Sequence, residues 1–194
     1  MRRRPQRGQT TIMDAFLGLG VSVILGAGVS NTIKLLVGRP RPNYAALKAL
    51  SDGTAGSAFL RSQSFMDDQV RSFPSGHSSK SMAGTAMVPF LVWGQLCTLG
   101  QGFPRWARTA LVVLSLLVPT VSLWVGVTRV TGYWHFQDDV ATGWLIGGTS
   151  AAISYIQVVR SRAHHHREPS PMDRSSPRLP SAPLLKTGTG YGMI

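Results

Sequence analysis

The sequence predicts an all-α fold: a polytopic membrane helix bundle with four transmembrane helices, followed by a disordered C-terminal tail. Three observations predict it. The apolar residues gather into four long runs, Ala15–Val37, Met82–Leu99, Ala107–Val127 and Val140–Val159, each near the ~20 residues a helix needs to cross ~30 Å of hydrocarbon. Their interiors carry Gly, Ala, Ser and Thr, as in "GLGVSVILGAGVSNT" and "GWLIGGTSAAIS". Such small residues let helix backbones approach closely where lipid supplies no hydrophobic drive between helices. Beyond the last run the chain reads "REPSPMDRSSPRLPSAPLL", a composition that cannot bury a core. A buried soluble helix could account for one such run, but not for four together. The expected organisation is a basic N-terminus (1–14), a membrane domain (15–159, spans about 15–37, 80–99, 107–127 and 140–159) and a tail (160–194).

Taken in order, Arg2, Arg3, Arg4 and Arg7 precede the first span, a basic start and long apolar run that read as a signal anchor. That span closes at "KLLVGRPRPN", where Gly38 suits a C-cap and Pro40 and Pro42 prohibit further helix. Lys34 therefore sits in the last turn and Arg41 on extended chain just outside. A long connection with the turn-rich "LSDGTAGS" leads to "FPSGHSS", where Pro74, Ser75 and Gly76 open the second span and His77 stands in or beside its first turn. Arg105 and Arg108 lie between the second and third spans. The third ends at "VGVTRVTGYWHFQDDV" and the fourth begins near Asp139. Arg160, Arg162, Arg167, Arg174, Arg178 and Lys186 follow. The positive-inside rule makes all three basic segments cytosolic and turns Gly38–Ser81 and Thr128–Asp139 toward the lumen or exterior.

The net charge of +12 does not point to nucleic acid. The basic groups flank spans without interleaved aromatic stacking partners, which suits anionic membrane surfaces. A single cysteine, Cys97, excludes an intrachain disulfide. His164, His165 and His166 read as a solvated run in the tail and not as metal ligands.

Because successive spans alternate in direction, Lys34, Arg41, Ser75, Gly76, His77, Arg129, His135 and Asp139 collect at one non-cytosolic face. Lysine near a helix end can merely snorkel and arginine can merely flank a span. Their joint convergence with two histidines calls for another reason. Three fixed cations and the N-terminus of a helix opened by Ser-Gly-His suit a multiply charged oxyanion, with phosphate the natural candidate. Arg41 and Arg129 offer planar bidentate donors, Lys34 a movable point charge, and Gly76 a close backbone approach. His135 and Asp139 are four apart, so Asp139 can accept a proton from one ring nitrogen and leave the other free to attack phosphorus. His77 is the candidate to protonate the leaving alkoxide. No metal and no cofactor is expected. Asp138 and Asp139 are adjacent, and Asp67 and Asp68 lie in a loop, so carboxylates are too few for a two-metal site.

These motifs resemble the type 2 phosphatidate phosphatase (lipid phosphate phosphatase) superfamily, related to vanadium haloperoxidases and bacterial acid phosphatases. "KLLVGRPRP" matches Lys, six residues, Arg-Pro; "PSGH" matches outright; "TRVTGYWHFQDD" matches Arg, five residues, His, three residues, Asp. The resemblance implies a metal-independent phosphomonoesterase with His135 as nucleophile, Asp139 orienting it, His77 as general acid, and Lys34, Arg41, Ser75, Gly76 and Arg129 binding phosphate. It adds the substrate class: phosphatidate, lysophosphatidate, diacylglycerol pyrophosphate or a sphingoid phosphate, in contact with membrane lipids. Vanadate is expected only as a phosphate-mimicking inhibitor. Thr128 stands where the family usually has serine and keeps the hydroxyl. Members typically have six spans, and this sequence lacks the first two; a short natural form, a truncated one and one part of a homo-oligomer are all compatible with it. The alternative reading is a truncated, catalytically silent lipid-binding or scaffold protein.

Overall fold

The computed structural model describes residues 12–53, 58, 61–99 and 102–165. Among these there is helix and no strand: α1 Ile12–Val37, α2 Tyr44–Asp52, α3 Gln63–Gln69, α4 Gly76–Leu99, α5 Arg105–Leu117, α6 Thr120–Thr131 and α7 Gln137–His165. Two helical stretches, Ile12–Val37 and Arg105–Thr131, are long and apolar enough to cross a membrane. They carry the first and third runs and expose large apolar side chains such as Phe16, Ile24, Leu36, Trp106, Leu114 and Trp124. The second and fourth runs form α4 and α7, which make the most extensive helix contact in the molecule, with α1 packed on both. Helices in the middle of a bundle have fewer positions facing outward, so they need small residues more than apolar ones.

The packing follows rows spaced by four, the ridges along which α-helices interdigitate. On α1 the buried positions are Gly18, Ser22, Gly26 and Ser30. On α4 they include Ser79, Ala83 and Met87, continuing from Ser75, and on α7 Gly143, Gly147 and Ala151, continuing from Asp139. Hydroxyls join the rows: Ser22 donates to the Ala83 carbonyl at 2.8 Å, Ser30 to Ser79 Oγ at 2.7 Å, and Ser154 to the Gly18 carbonyl at 2.8 Å. A β-carbon at Gly143 would stand 2.6 Å from the Ser75 carbonyl oxygen, so α7 needs glycine there to lie against α4.

Three expectations are corrected. The connection Gly38–Ser81 is not all loop but holds α2 and α3. The third run is not one regular helix: Pro119 has no N–H to donate, and the chain passes it through tight turns in which Val118 donates to Ser115 and Ser122 to Pro119. The tail does not begin at residue 160, because α7 runs through Arg160 to His165. Polarity set that boundary, but polarity does not break a helix, and the first proline after the run is Pro169. The basic residues 1–11, the segment 166–194 and His166 lie outside the described residues.

Candidate active site

The site is assembled where the packing rows end. Lys34 is the next position of the row Gly18, Ser22, Gly26, Ser30, so the period that buries small residues also aims the lysine inward. Gly38, with φ of 61°, ends α1 and donates to the Lys34 carbonyl at 3.4 Å. A β-carbon at Gly76 would lie 3.7 Å from Lys34 Nζ, which puts the ammonium against the first residue of α4. Ser75 heads the row on α4. Its amide donates to the Asp139 carbonyl at 2.9 Å, joining the starts of α4 and α7. Its hydroxyl accepts from the Ser78 amide at 3.4 Å and the Ser78 hydroxyl at 3.0 Å. Ser75 is therefore the N-cap of α4, and its own hydroxyl proton remains to be donated.

The extended residues after α1 pair with those before α4: the Arg41 amide donates to the Gln69 carbonyl and the Ser72 amide to the Arg39 carbonyl, both at 2.8 Å. This brings the first and second motifs side by side. The Arg41 guanidinium pairs with Asp68 at 2.5 Å and lies 5.4 Å from the Trp134 ring centroid. Past α6 the chain reverses. Trp134 donates to the Arg129 carbonyl at 3.1 Å and Tyr133, at φ of 57°, to that of Val130 at 3.0 Å, the bond pattern of a Schellman turn with tyrosine in the left-handed position. The His135 amide also reaches the Arg129 carbonyl, at 3.3 Å, so the turn holds the arginine and histidine of the third motif together. Nε of Arg41 and Nε of Arg129 are both buried with no hydrogen-bond partner. Buried donors are ordinarily paired, so each of these can hydrogen-bond to an anion.

His135 precedes α7 and Asp139 lies in its first turn, both buried. Asp139 Oδ2 accepts from the Phe136 amide at 2.9 Å and stands 3.6 Å from His135 Nδ1. His77 is exposed on the first turn of α4, ahead of the apolar run that begins at Met82. Desolvation, and then the charges of Arg129, Lys80, His135 and Lys34, push its imidazole below the usual histidine range. Beside His135 opens a cavity of about 500 Å³ between Pro42, Val130, Tyr133 and Phe136.

All eight expected residues thus belong to one end of the bundle. Three more were missed. Arg39 contacts Asp138 and Asp139 and lies 4.1 Å from the Phe136 ring centroid. Ser72 donates to Asp139 and lies 3.4 Å from His135 Nδ1. Lys80 adds a cation one turn along from His77. Lys80 was legible from its i+3 spacing to His77. Arg39 and Ser72 were not, since only the pairing of two distant segments brings them to Asp139.

A sequence profile of the PAP2 superfamily matches residues 15–163. Lipid phosphate phosphatase 2 of Arabidopsis thaliana is 35% identical over 150 residues, 74% of this chain and 50% of that protein. Probable diacylglycerol pyrophosphate phosphatase 1 of Schizosaccharomyces pombe is 29% identical over 162 residues, covering 79% and 57%. Phospholipid phosphatase 2 of Homo sapiens is 29% identical over 143 residues, covering 68% and 48%. The chain spans about half the length of the curated relatives it matches. No solved structure matches it significantly.

Proposed function

Because this chain belongs to the PAP2 superfamily, we propose that it is an integral-membrane lipid phosphate phosphatase that hydrolyses phosphomonoesters without a metal. The observation that carries the proposal is the pair of buried, unpartnered guanidinium Nε atoms on Arg41 and Arg129. With Lys34 against Gly76 at the start of α4, they form a cradle for a phosphate dianion, completed by the Ser75 hydroxyl and the helix N-terminus. Relatives named for lipid phosphates and diacylglycerol pyrophosphate support a lipid substrate of that kind. So does the largely apolar lining of the cavity beside His135. Phosphatidate, lysophosphatidate, diacylglycerol pyrophosphate and sphingoid phosphates are the candidates.

In the first step Nε2 of His135 attacks phosphorus, the bond to the ester oxygen breaks, and His77 gives its proton to the departing alkoxide. In the second, water attacks the phosphohistidine, His77 takes the water proton, the P–N bond breaks and phosphate leaves. Asp139 keeps His135 in the tautomer with Nδ1–H. Residues 15–159 are the phosphatase domain, with spans at about 15–37, 80–99, 107–127 and 140–159 carried by α1, α4, α5–α6 and α7. The basic flanks put both termini in the cytosol and the site on the lumenal or extracellular side.

The test is phosphate release from detergent-solubilised protein given phosphatidate in EDTA, comparing wild type with His135→Ala and His77→Ala. Wild-type release well above His135→Ala is expected. Equal release across a panel of lipid phosphates defeats the enzyme reading and leaves a lipid-binding protein.

A further inference from the structure

Asp139 is fully buried, and its two carboxylate oxygens serve different partners. Oδ1 accepts from Arg39 Nη1 at 3.0 Å. Oδ2 accepts from Ser72 Oγ and from the Phe136 amide at 2.9 Å. Oδ2 also faces His135 Nδ1 at 3.6 Å, within ion-pair reach but long for a hydrogen bond. Ser72 Oγ is nearer the ring, 3.4 Å from Nδ1. A hydroxyl that donates to Oδ2 still has lone pairs to accept from Nδ1–H. A second route from imidazole to carboxylate, beside the direct contact, therefore passes through Ser72.

Arg39 holds the other side. Its guanidinium spans Asp138 and Asp139 and lies 4.1 Å from the Phe136 ring centroid, next to His135. It is spent on carboxylates, whereas Arg41, two residues on, keeps a free Nε. Arg39 and Ser72 are themselves joined, since the Ser72 amide donates to the Arg39 carbonyl at 2.8 Å.

We infer that Arg39 and Ser72 are a positioning pair: Arg39 fixes the rotation of the Asp139 carboxylate through Oδ1, and Ser72 relays Oδ2 to His135 Nδ1. The inference rests on the phosphatase reading, in which His135 is the nucleophile. Both side chains are engaged with Asp139 and neither belongs to the proposed phosphate cradle, so their loss acts on the chemical step more than on binding.

The test compares kcat, KM and pH profiles of full-length wild type, Arg39→Gln, Arg39→Lys and Ser72→Ala on short-chain phosphatidate in detergent. Arg39→Gln and Ser72→Ala are expected to lower kcat about ten- to a hundredfold, by analogy with the outer partners that orient metal-bound histidines, with KM within about twofold. Arg39→Lys recovers part of kcat because its ammonium can still reach one carboxylate. Arg39→Gln also moves the acidic limb of kcat/KM to higher pH, since it removes a cation held against Asp139 beside His135. The other charges around the site stay unchanged: Asp138 on α7, Lys34, Arg41 and Asp68 on one side, and His77, Lys80 and Arg129 on the other. A loss expressed in KM, or an unmoved limb with no rescue by lysine, overturns the inference. If Arg39→Gln does not fold, Ser72→Ala, which removes one oxygen, decides it through the same kcat and KM split. If wild type releases no phosphate, the phosphatase reading fails and the pair is judged separately by histidine ¹⁵N NMR: the Nδ1 resonance assigned through His135→Ala shifts in both variants if they hold the ring, and an unchanged resonance refutes the pair.

Discussion

Lys34 and Gly76 stand against each other: a β-carbon on Gly76 would lie 3.7 Å from Lys34 Nζ, in ordinary contact with the ammonium. The protein alone thus has room for alanine at this position. A phosphate dianion between the ammonium and the α4 amides does not leave that room. Gly76→Ala is expected to keep or slightly raise Tm, as alanine favours helix over glycine by roughly 0.5–1 kcal/mol, while weakening inhibition by vanadate at least about tenfold, or 1.4 kcal/mol. Thermal melts and vanadate inhibition on the same sample check this, and a variant that binds vanadate like wild type places the anion elsewhere.

Arg129 and Arg41 each have a buried Nε without an acceptor. Lysine keeps the charge but loses the planar fork, so Arg129→Lys is expected to lower kcat/KM about a hundredfold, the scale on which single transition-state donors act. Arg41 also has Asp68 to hold, so Arg41→Lys is expected to lose stability as well as activity. Steady-state kinetics with parallel melts separate the two, and an Arg129→Lys enzyme within threefold of wild type removes Arg129 from the cradle.

His77 is pushed below the usual histidine range by desolvation and by the cations around it. In the proposed mechanism His77 is the general acid and must be protonated, so activity falls as pH rises through its pKa. The alkaline limb of kcat/KM, which reports the free enzyme, is therefore expected below the ordinary histidine value of about 6.5. Bound phosphate dianion favours the imidazolium, so the limb in kcat lies at higher pH. A profile measured on wild type and His77→Ala checks both, because a limb that survives in the variant belongs to the substrate and not to His77.

Gly147 and Gly148 are neighbours with opposite surroundings. A β-carbon at Gly147 would overlap backbone atoms of Ser79 and Ala83, whereas one at Gly148 meets nothing within 4 Å. Gly147→Ala is expected to separate α7 from α4 and cost about 1–3 kcal/mol, as overpacking does, with activity lost because the same rows set the spacing of Ser75 and Asp139. Gly148→Ala is expected to leave both unchanged or to raise stability slightly. Equal melting temperatures for the two variants would refute the close packing of α4 on α7.

The helices on all four runs were legible because hydrocarbon-length apolar stretches and terminal Gly-Pro or Ser-Gly signals are local features. The break at Pro119 could have been read from the same residue class. The helical path through Arg160 was obscured by composition, which reports solvation better than backbone geometry. α2 and α3 are short helices inside a polar connection, where neither length nor period stands out. In the site, Lys34 and Asp139 were legible twice, once as motif residues and again as continuations of rows spaced by four on α1 and α7. Ser75 was assigned to phosphate through the family resemblance, and the structure adds its capping bonds to Ser78.

The sequence by itself determined the helical class, the family, and the residue types that meet at one end of the bundle, because these follow from local pattern and from the alternating direction of successive long helices. Tertiary structure alone decided how the histidine and carboxylate of the third motif are joined. Four residues of spacing suggest direct contact between His135 and Asp139, and the side chains do face each other at 3.6 Å, with the Ser72 hydroxyl set beside both. Ser72 and Arg39 come to that carboxylate because the chain after α1 hydrogen-bonds to the chain before α4. Pairing between backbone segments thirty residues apart has no period or composition that a sequence displays.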